Sequence, residues 1–122
     1  MFSKRSIQIL MNQLEENKKH FDSVTDLIAK YYGLTRAEIK SQSREGRIVE
    51  ARSFVIYFLY RHLYRKLPNE SAIYNLIGIY LGRDRITIRY HNHNMRFFKE
   101  NDLKIKQHHF NLYVKLVSND II

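Results

Sequence analysis

The fold of this chain can be predicted from the stretch ESAIYNLIGIYLGRDRITIRYHNHNMRFFK, residues 70–99. Its apolar residues recur at steps of three and four on both sides of Gly-Arg-Asp, which is the spacing of two amphipathic helices joined by a tight turn. Gly82 suits the turn, and Asp84 is a good N-cap for the second helix. The stretch therefore predicts a helix-turn-helix, with helices over residues 70–81 and 85–99.

The second of these helices has a basic face suited to reading DNA. In a helix-turn-helix the second helix enters the major groove N-terminus first, where an arginine can donate two hydrogen bonds to a guanine. A solvated surface helix could carry the same residues, and the pattern alone favours neither interpretation. The basic face holds Arg85, Arg89, Asn92 and Arg96, and the apolar face holds Ile88, Met95 and Phe98.

The rest of the chain is also helical in its periodicity, which predicts an all-α fold of about six or seven helices. Proline occurs once, at Pro68, and strand-type alternation is scarce. Two further helices are expected over residues 4–18 and from Ser23 to Gly33, and a Thr35–Glu38 capping box opens a short third one. The last two are expected over 48–66 and 102–117, and SQSREGR (41–47) is expected to form a basic loop.

These elements are expected to form a single domain over residues 1–122. It would comprise an N-terminal helix within residues 1–20, a core over 21–100 that contains the helix-turn-helix, and a C-terminal helix within 101–122. In that last helix we expect Leu103, Phe110, Val114 and either Leu116 or Val117 to face the core.

Composition limits the classes of partner. Lys and Arg number 21 against 12 Asp and Glu, a net charge of +9 that favours nucleic acid or an anionic membrane surface. The four glycines never cluster, so no phosphate-binding loop can be written, and we expect no nucleotide and no other cofactor. There is no cysteine, no apolar run of about 18 residues and no signal-peptide pattern, so we expect a cytoplasmic protein that is not held in a membrane.

Two motifs resemble the C-terminal DNA-binding domain of the bacterial replication initiator DnaA. GRDRITIRYHNHN (82–94) is similar to the signature G-R-D-H-T-T-[VI]-x-H of that domain. IAKYYGLTRAEIKSQSREGRIVEAR (28–52) resembles its first two helices and basic loop, and the two motifs occur in the family's order and spacing. The upstream positions that match are Ala29, Tyr32, Glu38, Ile39, Ser41, Arg44 and Arg52.

The resemblance implies a helix-turn-helix domain of the Trp-repressor/DnaA C-terminal type that binds a short asymmetric box in double-stranded DNA. Arg44 would then enter the minor groove, and Asp84, Arg85 and Ile86 would contact bases in the major groove. Basic residues nearby would hold phosphates. The candidate DNA-binding residues are Arg44, Arg47, Arg83, Asp84, Arg85, Ile86, Thr87, Arg89 and Arg96.

The sequence departs from the family pattern at the residues that would read the box. Arg85-Ile86-Thr87 stands where the family has His-Thr-Thr, and Tyr90 stands where it has His. Arginine favours guanine and isoleucine offers only an apolar surface, so we expect a box other than the standard one. The family's ATPase region is not in this sequence, and we expect a DNA-binding module for replication initiation or its regulation, such as a phage or plasmid accessory protein.

Two other functions are compatible with the sequence. A helical module that binds another protein is favoured by the segment 60–71, which is longer than the family's by about a turn and a half of helix. A metal-dependent nuclease is suggested only by the letters His91-Asn92-His93-Asn94, yet histidines two positions apart point in nearly opposite directions from a helix. We expect no catalytic residue and no metal ligand, and we place His108 and His109 on the surface.

The segment YFLYRHLYRK (57–66) interleaves tyrosines with basic residues. Such a pattern can stack on the bases of a single-stranded nucleic acid. Because Tyr57, Tyr60 and Tyr64 follow helical spacing, we favour the interpretation that they fill the core while the basic residues point outward.

Overall fold

A computed structural model describes residues 3–122 and contains six α-helices and no strand within that range. The all-α prediction is confirmed. No helix in the described range is both long enough and apolar enough to cross a bilayer. The helices are α1 (Lys4–Tyr32), α2 (Arg36–Lys40), α3 (Gly46–Leu63), α4 (Glu70–Leu81), α5 (Arg85–Asn101) and α6 (Leu103–Ser118).

Helix α3 forms the centre of the molecule. Every residue from 51 to 60 is buried, and α3 packs against α1, α2, α4 and α5. Phe54 and Phe58 lie at its middle, 0% and 1% exposed. A helix that is buried on all sides must be covered by several other helices. Helices α4 and α5 therefore pack against α3 and cover part of its surface.

The predicted break between residues 18 and 23 is wrong, because α1 runs unbroken from Lys4 to Tyr32. The hydroxyl of Ser23 does not cap a helix but donates to the carbonyl oxygen of Lys19 at 2.9 Å. Phe21 and Val24 are fully buried against the core on either side of it. Packing of this face carries the helix through a segment that has no strong local stop signal.

The expected N-terminal helix and the first core helix are therefore one element of 29 residues. It ends at Gly33, which adopts the left-handed conformation with φ 68°, as the sequence predicted. Residues 1 and 2 of the expected N-terminal segment lie outside the described residues.

Helix α6 buries only Leu116 of the stripe that the sequence predicted, and Val117 is 44% exposed. Leu112 and Leu116 are fully buried, whereas Leu103 is 84% exposed and Phe110 60% exposed. Val114, the third residue of the predicted stripe, is also exposed. The helix carries two apolar stripes, and only its position against α1 and α5 selects the one that is buried.

Two histidines stack where α1 crosses α3. The ring centroids of His20 and His62 lie 3.7 Å apart. Burial lowers the pKa of both rings, and the neighbouring Lys66 lowers it further. The pKa of His62 falls to about 4, with a contribution from His20, so the packed pair is neutral at pH 7.

We predict that the protein loses stability on acidification through this pair. A histidine in the unfolded chain binds a proton below about pH 6.5, whereas His62 in the folded protein binds one only below about pH 4. Between these two pH values the unfolded state therefore holds more protons than the folded state. The free energy of unfolding should fall by about 1 kcal/mol between pH 7 and pH 5, after allowance for solvent screening. Urea denaturation at the two pH values measures this change.

The matched control is His62→Gln, which removes the titrating ring and should flatten that part of the pH dependence. An identical pH dependence in the two proteins would show that the stacked pair does not contribute.

Candidate nucleic-acid interface

Helix α4, a tight turn and helix α5 form the predicted helix-turn-helix, with the predicted residues at its ends. Gly82 ends α4 at φ 69°, and the N–H of Arg83 donates to the carbonyl oxygen of Gly78 at 2.8 Å. Asp84 caps α5, because its carboxylate accepts from the N–H of Thr87 at 2.8 Å. This bond lowers the pKa of Asp84, which therefore presents a negative charge at the exposed start of α5.

The turn folds back closely onto α4 at Gly78. A Cβ atom built at this position would collide with the carbonyl oxygen of Arg83. The backbone of the turn therefore occupies the space that any other side chain would need.

The basic loop covers residues 41–45, because Gly46 and Arg47 already belong to α3. Arg52 of α3 is only 3% exposed, and its side chain holds this loop by hydrogen bonds to backbone carbonyls. Its guanidinium donates to the carbonyl oxygens of Ile39 at 2.7 Å, Ser41 at 2.8 Å and Ser43 at 3.2 Å. The sequence marked Arg52 only as a matching position, and the structure assigns it the role of holding the loop.

Arg83 joins the turn of the helix-turn-helix to the same loop. Its guanidinium donates to the carbonyl oxygen of Ser41 at 2.6 Å and to that of Leu81 at 3.0 Å. Burial lowers the pKa of Arg52 to about 10, and the charge of Arg83 adds to the shift, yet both remain protonated at pH 7. Arg83 was expected to hold a phosphate, but two nitrogens of its guanidinium group are bonded to backbone carbonyls of the protein itself.

A groove of about 650 Å³ lies between the basic loop and the N-terminal half of α5. Arg44 is exposed on the loop side, and no carboxylate in residues 3–122 lies within ion-pair distance of it. The residues that line the groove are Gln42, Ser43, Arg44, Val49, Arg52, Gly82, Arg83, Asp84, Thr87, Tyr90 and His91.

The structure brings some of the candidate DNA-binding residues together and separates others. Arg44, Arg83, Asp84 and Thr87 share the groove. Arg85, Ile86 and Arg89 line a smaller depression against the start of α4. Arg47 is exposed in the first turn of α3, and Arg96 lies beside Tyr60 on another part of the surface.

The outward face of α5 is more apolar than the sequence analysis suggested. Ile86 is 72% exposed and Tyr90 64% exposed, and Phe97 and Phe98 are exposed as well. The predicted packing of Phe98 is therefore wrong. Asn92, which was expected on the basic face, is fully buried, and its side-chain amide donates to the hydroxyl of Tyr74 at 3.1 Å. It is buried because the row Arg85–Arg89–Arg96 borders the side of α5 that packs on α4.

Tyr90 lines the groove but is absent from the DNA-binding residues predicted from the sequence. It lies there together with Thr87 and is 64% exposed. The signal that could have found it was present, since Tyr90 replaces the final histidine of the family signature.

The histidine-rich segments do not form a cluster of metal ligands. His91 contacts the hydroxyl of Ser53 at 3.2 Å, whereas His93 is exposed. Among residues 3–122, no three His, Asp or Glu side chains are placed to hold a metal ion. His108 and His109 are not free surface residues as expected, because His108 bonds to Tyr31 at 2.6 Å and His109 stacks on the core residue Phe58.

Comparisons with known proteins agree with this geometry. Residues 21–94 match the family model described as the bacterial dnaA protein helix-turn-helix. Over 121 residues the chain is 28% identical to the chromosomal replication initiator protein DnaA of Campylobacter concisus (strain 13826). The aligned region covers 99% of this chain and 25% of that protein. The chain thus spans about a quarter of the length of this relative. No solved structure matches it.

We predict that Gly78→Ala lowers the free energy of unfolding by about 1–3 kcal/mol, because the turn must move to admit the methyl group. Gly46→Ala is the matched control, since a Cβ there meets nothing within 4 Å, and it should change stability by less than about 0.5 kcal/mol. Urea denaturation of both variants checks the difference, and equal effects would contradict it.

We also predict that Arg52→Met destabilises the protein by about 2–4 kcal/mol, because three carbonyl oxygens of the loop region lose a charged donor. Arg47→Met removes the same charge from an exposed position of α3 and should be close to neutral. Thermal or urea denaturation compares the two. A neutral Arg52→Met would mean that the loop is held by other contacts.

Proposed function

The chain belongs to the bacterial DnaA helix-turn-helix family, and from this membership we propose that it binds double-stranded DNA sequence-specifically, at a short asymmetric box. The observation that carries the proposal is the groove that sets the unpaired Arg44 of the loop beside the N-terminal half of α5. Two elements side by side can read adjacent grooves of one duplex.

In the proposed complex, α5 enters the major groove with its N-terminus first. Arg85 is exposed in the first turn and donates to O6 and N7 of a guanine. Ile86, the most exposed apolar side chain of α5, contacts a thymine methyl group. Asp84 uses one carboxylate oxygen for the cap and offers the other to the amino group of a cytosine or adenine.

Arg44 reaches the neighbouring minor groove. An arginine there gains most where an A·T-rich sequence narrows the groove and strengthens its negative potential. The anchoring of the loop by Arg52 supports this role, because a loop held at the carbonyl oxygens of Ser41 and Ser43 loses little freedom on binding.

Four of the remaining candidate residues hold phosphates of the duplex. Thr87, Arg89 and Arg47 are close to the reading elements, and Arg83 contributes the part of its guanidinium that the protein leaves free. The net charge of +9 supplies affinity for any duplex, while the base contacts fix register and sequence. Because Arg85 and Ile86 stand where the family has His and Thr, the box differs from the standard one.

We propose that the chain acts in replication initiation or its regulation, as the name of its relative suggests. These 122 residues contribute site recognition and not nucleotide hydrolysis, since their four isolated glycines provide no phosphate-binding loop.

In vitro selection from random duplex DNA, followed by fluorescence anisotropy at several salt concentrations, tests the proposal. We expect an enriched asymmetric motif of about nine base pairs, bound far more tightly than random DNA. Arg85→Ala should cost about 1–3 kcal/mol of binding free energy and relax the preference at one base position. Arg44→Ala should weaken binding most when the flank is A·T-rich.

Lys104→Ala is the matched control, because it removes one exposed charge from α6, away from the groove. If selection enriched no motif, or if all three variants weakened binding equally, only non-specific attraction to a basic domain would remain.

A second candidate function is a helical module that binds another protein. The exposed stripe of α6 favours it, with Leu103 at 84% and Phe110 at 60% exposure. A partner captured from nuclease-treated lysate should be lost in the variant Phe110→Ser and retained in Arg85→Ala. Capture that both variants leave unchanged would exclude this stripe as the binding surface.

A further inference from the structure

A second cationic surface lies between the C-terminal ends of α3 and α5, apart from the groove. It is a cleft of about 260 Å³, and Arg96 on its rim follows Arg85 by 11 positions, which is about 16 Å along α5. The cleft is lined by Tyr57, Tyr60, Arg61, Tyr64, Arg96 and Lys99.

The cations of the cleft are held by aromatic rings and are largely free of acidic partners. The guanidinium of Arg96 lies 5.7 Å from the ring centroid of Tyr60, and the ammonium of Lys99 lies 5.2 Å from that of Tyr57. Within residues 3–122, Lys99 pairs with a carboxylate at 3.6 Å, but Arg61 and Arg96 have none within 4 Å. Two guanidinium groups are therefore available to an anion.

One tyrosine of the cleft has a free ring face. Tyr57 and Tyr60 are 8% and 5% exposed, as the core interpretation of the tyrosine-rich segment expected, but Tyr64 is 58% exposed at the end of α3. Its ring centroid lies 6.0 Å from that of Tyr60, so the ring borders the charged cleft. An exposed aromatic ring beside free guanidinium groups suits a base and its phosphate.

We propose that this cleft binds a nucleotide unit of a single-stranded nucleic acid, with the base stacked on Tyr64 and the phosphate between Arg61 and Arg96. A single strand fits better than a duplex, because the faces of paired bases are already covered by their neighbours and cannot stack on a side chain. The tyrosine-rich segment thus has two roles: Tyr57 and Tyr60 belong to the core, and Tyr64 belongs to the binding surface.

The separation of cleft and groove along α5 implies that both can be occupied together. The groove is lined by residues of the loop and of the first half of α5, and it shares no residue with the cleft. One domain would then hold a duplex and a single strand at the same time.

Fluorescence anisotropy of a labelled dT₁₂ oligonucleotide tests the site. Tyr64→Leu should weaken binding by about 5–150-fold, the range for loss of one stacked base. Arg61→Gln/Arg96→Gln should weaken it as strongly and should lower its salt dependence. All three residues are exposed, so circular dichroism should show an unchanged helical fold.

Two matched controls distinguish the cleft from general charge. Arg44→Gln/Arg85→Gln removes the same charge from the groove side and should leave oligonucleotide binding within about twofold. Tyr64→Phe keeps the ring and should bind like the wild type. If the groove variant lost as much affinity as the cleft variant, or if Tyr64→Leu bound normally, the assignment would be overturned.

Competition separates this inference from the proposed function. An excess of the selected duplex should not displace the oligonucleotide, and displacement would mean that one surface binds both. The oligonucleotide measurements use no duplex, so they test the cleft even if selection enriches no DNA box.

Discussion

Two guanidinium groups converge on one backbone carbonyl, that of Ser41, and the interface depends on this contact. Arg52 reaches it from the core helix α3 at 2.8 Å, and Arg83 reaches it from the turn of the helix-turn-helix at 2.6 Å. The carbonyl thereby joins the basic loop to both elements. This contact links the loop that carries Arg44 directly to the turn that precedes Arg85.

Placing two like charges together is unfavourable, and the pKa of Arg52 is lowered accordingly, first by burial and then by Arg83. The arrangement is tolerated because Arg52 also donates to the carbonyl oxygens of Ile39 and Ser43. These two oxygens lie at and just after the end of α2, where Arg52 supplies their hydrogen-bond donor. The same positive charge adds to the potential that attracts a polyanion, so the anchor of the loop contributes to the proposed binding as well.

The outward side of α5 combines arginines on one edge with Ile86, Tyr90 and Phe97 along its centre. A surface of this kind can discriminate by thymine methyl groups as well as by hydrogen bonds, consistent with a changed box. Towards its C-terminal end the helix passes Tyr60 and ends in the aromatic cleft. One helix therefore presents two chemically different surfaces, and its length of 17 residues keeps them apart.

Local sequence is sufficient to predict the all-helical fold, the helix over 70–81 with its turn, and the cap residues Gly82, Asp84 and Thr35. Each of these depends on hydrogen bonds within a few positions of the chain. Contacts between distant elements set the continuity of α1, the stripe that α6 buries, the burial of Asn92 and the role of Arg52. Each of these depends on which distant element lies opposite, and periodicity describes the faces of a helix but not the partner that covers them.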